Sequence, residues 1–158
     1  MNISLLSLAD RIENLKDQIT PIIVMRQYGL QPDQWESFGS KGRQYSLRDV
    51  KYHLSFLIEA IRAGDASIFG RYVTWVKELF HHLNFQRSSM TSTLDSIAAQ
   101  FGREFGPEEI ELLNPYFRAG YSAMESPMES QGTFISEIAP LGNLATEYLD
   151  AILQKDKY

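Results

Sequence analysis

The sequence predicts an all-α domain of six to eight helices. Three observations carry that prediction. Apolar residues recur three and four positions apart along most of the 158 residues, the period of one helix face. Strand signals, the apolar–polar alternation of a half-buried strand, are weak everywhere. Glycine and proline fall between the periodic segments and leave only short connections.

The first helix carries Leu5, Leu8, Ile12, Leu15 and Ile19, a narrow seam suited to packing on one other helix. Thr20 followed by Pro21 reads as a cap and first helical position, which predicts a second short helix through IIVMRQYG. Gly29, Pro32, Gly39 and Gly42 mark residues 29–45 as an irregular connection, with Trp35 and Phe38 against the core. The next helix spans roughly 46–63. Val50, Leu54, Leu57, Ile58 and Ile61 form its stripe, and Tyr52 and Phe56 widen it, so it is central. Gly64 stops it.

Asp65 caps a helix over about 66–85, with Ile68, Phe69, Tyr72, Val73, Val76, Leu79, Phe80 and Leu83 facing inward. A helix over about 91–104 starts in a Ser/Thr cluster and ends at Gly106. Pro107 opens another, whose early Glu108, Glu109 and Glu111 complement the helix dipole. Pro115 kinks it or ends its first segment. Residues 126–132 form a loop, and the last helix runs from about 134 to 154 with a kink at Pro140. Helices of this number and spacing fit a globin-like or irregular bundle better than a symmetric four-helix bundle. The length is that of a single domain over residues 1–158.

Composition narrows the function classes. A net charge of −5, with no basic run, argues against nucleic-acid binding. The chain has no cysteine, which excludes disulfides, thiolate metal sites and thiol catalysis, and suggests a cytoplasmic protein. The N-terminus lacks a signal-peptide pattern, and no apolar stretch approaches a membrane span. Gly-x-Ser-x-Gly, the phosphate loop and the dinucleotide fingerprint are all missing, so no enzyme is expected.

The histidines are His53, His81 and His82. Adjacent helical residues diverge by about 100°, so His81 and His82 cannot share one ion from one face. They read either as structural residues or as candidate axial ligands of haem iron. The stretch Ser46-Leu47-Arg48-Asp49 also has two readings. Ser46 is a helix N-cap with Asp49 completing a capping box, or the pair Arg48–Asp49 faces a pocket.

The run SLRDVKYHLSFLIEAIRAGDASIF resembles the central helix and turn of the phycobiliproteins, the phycocyanin and allophycocyanin family. The matching positions are Ser46-x-Arg48-Asp49, then Tyr52-His53, then Leu54 to Ile61, then Ala63-Gly64-Asp65. TWVKELFHHLNF is similar to the family's next helix, and FISEIAPLGNLATEYLDAIL to its last. The resemblance implies a globin-like fold and a bound tetrapyrrole. It assigns Arg48 to a propionate and Asp49 to the inner pyrrole nitrogens, with Tyr52 and Tyr45 as pocket walls and His53 at the aromatic partner position. Fork donors suit carboxylates, and an anionic acceptor suits converging N–H groups.

The chromophore-bearing cysteine of the family is Ser46 here, so a thioether link is impossible. The expectation is therefore non-covalent binding of a bilin or haem, as carrier or sensor. The alternative is a ligand-free interaction module, a homodimer built on the first-helix seam, in a bacterial regulatory system. A fainter likeness, to helical segments that precede cobalamin-binding domains of bacterial regulators, lacks the ligating D-x-H-x-x-G motif.

Overall fold

A computed structural model describes residues 4–37, 39–82, 87–127 and 142–155. Among them the chain forms seven helices and no strand: α1 (Leu5–Leu30), α2 (Pro32–Glu36), α3 (Ser40–Ala63), α4 (Ala66–His82), α5 (Arg87–Glu104), α6 (Pro107–Glu125) and α7 (Gly142–Lys155).

α1 starts where the Ser4 hydroxyl accepts the Ser7 N–H at 3.0 Å, an N-cap. It then runs unbroken through Pro21, where two helices are predicted. Proline removes one donor to the carbonyl four residues earlier. The adjacent Thr20 hydroxyl donates to the Lys16 carbonyl at 2.6 Å, and Ile19, Ile23 and Val24 are buried on both sides of the proline. Burial thus holds the helix across one missing bond.

The irregular connection expected over 29–45 is mostly helical. α2 occupies part of it, and α3 begins at Ser40 after Gly39, whose φ of 77° suits glycine. Phe38 and the Trp35 side chain lie outside the described residues. So do Leu83 and the stretch 134–141 with Pro140. The helix predicted from 91 begins at Arg87. Pro115 sits inside α6 without ending it.

The α3 stripe is as the spacing predicts: Val50, Leu54, Phe56, Leu57, Ile58 and Ile61 are all buried. Gly64 ends the helix at φ 66°, and the N–H groups of Gly64 and Asp65 close back on Ile61 and Ala60, a Schellman cap. The Asp65 carboxylate then accepts the Ser67 N–H at 2.9 Å and starts α4. At the start of α6, the Glu109 carboxylate accepts the Gly106 N–H at 3.0 Å and also pairs with Arg11.

α1 packs on α3 and α5, α4 packs on α6 and α3, and α5 meets α6. The α1 seam is spent inside this core: Leu8, Ile12 and Ile19 are fully buried. That removes the seam as a basis for a dimer. α4 and α6 come close through small residues. A Cβ added at Gly120 would lie 2.9 Å from the Phe69 ring. Buried Lys77 donates to the carbonyls of Ala123 and Ser126 at 2.7 and 2.6 Å, tying α4 to the end of α6.

Candidate functional site

Residues 45, 48, 49 and 52 lie three or four positions apart on α3, so they share one face. That face starts at Tyr45, five residues into the helix that begins at Ser40, and Ser46 follows it. Ser46 is therefore interior and buried. The N-cap reading fails on that position.

Arg48 and Asp49 are held together. The Arg48 Nε and Nη2 groups donate to the Asp49 Oδ1 at 3.1 and 2.9 Å. Their side chains are 22% and 19% exposed, so the pair is half-buried and only partly screened. The Arg48 guanidinium also lies 5.1 Å from the Tyr45 ring centroid, a cation–π contact. Its remaining nitrogen, Nη1, donates to the Ala151 carbonyl of α7 at 2.9 Å.

Tyr52 lies one turn on. Its hydroxyl donates to Glu147 at 3.1 Å, and its ring stacks on Tyr148 at 4.6 Å and 22°. Burial, then the bond to Glu147, raises the Tyr52 pKa. Behind this layer, Tyr148, Tyr72 and His53 form a buried polar-aromatic cluster. His53 Nδ1 and the Tyr72 hydroxyl share a hydrogen bond of 2.5 Å. Burial pushes the His53 pKa down to about 3, so the ring is neutral at physiological pH. Burial, then the Asp49 charge, pushes the Tyr72 and Tyr148 hydroxyls well above the usual phenol range. The Tyr148 hydroxyl is buried beside Asp49, yet no partner meets full hydrogen-bond geometry with it.

A cleft of about 550 Å³ opens between α1, α3 and α7, lined by Lys16, Arg48, Lys51, Tyr52, Leu144 and Glu147 among others. That is the size range of small-molecule sites. Its lining includes three cations, Lys16, Arg48 and Lys51, and one carboxylate, Glu147, and each cation also pairs with a carboxylate beside the cleft. Lys16 bonds to Ser55 at 3.3 Å and pairs with Glu13 at 3.1 Å, while Lys51 pairs with Asp17 at 3.2 Å. The exposed Lys51–Asp17 pair is of the weak, exchangeable kind.

Of the six residues expected at a cofactor site, Arg48 and Tyr52 line the cleft. Tyr45 backs Arg48, Asp49 sits behind it, and His53 and Ser46 are buried. His81 and His82 are exposed at the end of α4 and do not line the cleft. Among the described residues no group of three or more His, Asp or Glu is placed to hold a metal ion. Nor is any helix there long and apolar enough to cross a membrane. Sequence reasoning missed Lys16, Glu147, Tyr148 and Ala151. No local signal in the sequence pairs them with α3.

Residues 5–124 match the family described as phycobilisome protein. The C-terminal stretch that resembles the family's last helix falls outside that match. Searches of curated proteins and of solved structures gave no significant match. The matched residues span more than half of the chain and carry the Arg48–Asp49 motif on a helical, globin-like frame: the chain belongs to the phycobilisome protein family.

Proposed function

We propose that this protein holds a tetrapyrrole without a covalent link, on the α3 face that carries Arg48 and Asp49, as a carrier or sensor in the cytoplasm. The observation that carries the reading is the cleft lined by Arg48, Tyr52, Lys16 and Lys51. A linear tetrapyrrole is a flat body with carboxylate arms and inward N–H groups. The Arg48 fork suits one arm, and Lys16 and Lys51 offer cations for a second. Tyr52 gives a ring face for stacking. Asp49 is an anionic acceptor for N–H donors. Bound there, the conjugated ligand supplies absorption of visible light, and the chain's residues bind and orient it. No catalytic role is assigned to them.

A bilin suits the site better than haem. His81 and His82 lie outside the cleft, and His53 Nδ1 is engaged by Tyr72. Without cysteine in the sequence, the ligand should leave intact on denaturation. The test mixes purified protein with biliverdin, and separately with haemin, and follows the visible spectrum. Biliverdin should give a shifted, intensified band that denaturing extraction abolishes. An unchanged spectrum at micromolar protein would reject the reading.

A second reading, self-association without ligand, rests on a different surface. Ile22 and Met25, one turn apart on α1, are 39% and 67% exposed. Apolar side chains that lie together on a surface mark contact sites. Sedimentation of the wild type and of Met25→Lys decides it. A homodimer that Met25→Lys dissociates supports this surface, and a wild-type monomer removes it.

A further inference from the structure

α7 begins at Gly142, beyond the residues 5–124 that match the family. It nevertheless lies on the residues that define the family motif. Three of its contacts there resemble those of a ligand. The Ala151 carbonyl puts an acceptor oxygen on the Arg48 guanidinium at 2.9 Å. Tyr148 puts a flat ring on Tyr52 at 4.6 Å and a T-shaped edge against His53 at 6.0 Å. The Tyr148 hydroxyl, fully buried and without a hydrogen bond of good geometry, lies beside the Asp49 carboxylate. An acceptor on the arginine, a ring on the tyrosine and a neutral donor beside the aspartate are what a propionate, a pyrrole ring and a pyrrole N–H would each supply.

We propose that α7 is an internal stand-in for the ligand, and that a tetrapyrrole engaging both Arg48 and Asp49 displaces it. The proposal rests on the tetrapyrrole reading above. Arg48 and Asp49 cannot both be satisfied by a ligand while Ala151 and Tyr148 remain, because one site does not hold two occupants in contact with the same groups. Displacement is feasible because, among the described residues, the backbone of α7 approaches the other helices at fewer points than α1, α3, α4, α5 and α6 approach one another. Its hold on α3 is a set of side-chain contacts. Ligand binding at α3 is thereby converted into a change at the C-terminal helix, a ligand-dependent output.

The experiment uses the full chain with biliverdin as probe. Backbone hydrogen exchange over 142–155 is measured with and without it. The expected result is exchange at the Tyr148 and Leu149 amides faster by about tenfold or more when biliverdin is bound. Tyr148→Ala should bind biliverdin about tenfold tighter, because removing a competitor raises the fraction of competent sites. Tyr148 is a core residue, so exposed Glu147→Ala serves as the second variant and should shift affinity the same way by less. Biliverdin bound with α7 amides unchanged or better protected, and with neither variant binding tighter, would overturn displacement and leave the tetrapyrrole reading standing. Binding by neither wild type nor variants would overturn both. Binding by the variants alone would show that α7 blocks the site rather than yielding to the ligand, and would overturn displacement.

Discussion

His53 predicts a specific acid sensitivity. It is 2% exposed, and burial depresses its pKa to about 3. In the unfolded chain it titrates near 6.5. Between those values the unfolded state binds the extra proton, so stability falls as pH falls below about 6.5. The contribution is fully present above that pH and is lost on acidification. From pH 7 to pH 5 the linkage amounts to about 2 kcal/mol, and the slope approaches about 1.4 kcal/mol per pH unit below the unfolded pKa. The assay is urea unfolding at several pH values, for the wild type and for His53→Gln. With an m-value of roughly 2 kcal/mol/M for a small domain, the wild-type midpoint should drop about 1 M from pH 7 to pH 5. His53→Gln is less stable at pH 7, since it disturbs the bond to Tyr72, but it should lose most of the pH dependence. Carboxylates contribute to both proteins alike and cancel in the difference. Equal slopes for the two proteins would refute the burial argument.

Two further predictions concern packing. Gly120→Ala places a methyl group 2.9 Å from the buried Phe69 ring and should destabilise by about 1–3 kcal/mol through overpacking, read by thermal unfolding; an unchanged midpoint would mean that α4 and α6 are not so close. Lys77→Met keeps the buried stem but deletes both hydrogen bonds to the Ala123 and Ser126 carbonyls, with an expected loss of about 1.5–3 kcal/mol and earlier fraying at the α6 end by hydrogen exchange.

Much of the frame was legible because it is local. The α3 stripe from Val50 to Ile61, the Gly64 stop, the Asp65 cap and the Pro107 start each follow from neighbours a few residues apart. The errors came where burial outvoted local signals. Thr20-Pro21 looks like a helix start, but Ile19, Ile23 and Val24 are buried across it and keep α1 continuous. Ser46 looks like a cap only if the polar run SKGRQY is taken as loop, and it is the first turns of α3. At the site, Arg48 and Asp49 stood out through a recognisable pattern. Their partner on α7 did not, because Arg48 and Ala151 are 103 residues apart and no period or spacing links them. Lys16 was hidden for the same reason, as a surface-type residue on a helix read only for its apolar seam.

The most direct test of the central claim is calorimetric titration of biliverdin into the wild type and into Arg48→Ala. Arg48 is the one motif residue that both lines the cleft and carries a donor fork. Losing a charge-assisted bond of about 1.5–3 kcal/mol should weaken binding roughly tenfold to a hundredfold. A wild type that takes up biliverdin at micromolar affinity, with a variant weakened by that factor, is the predicted result. No binding by the wild type, or the same affinity in both proteins, would contradict the account.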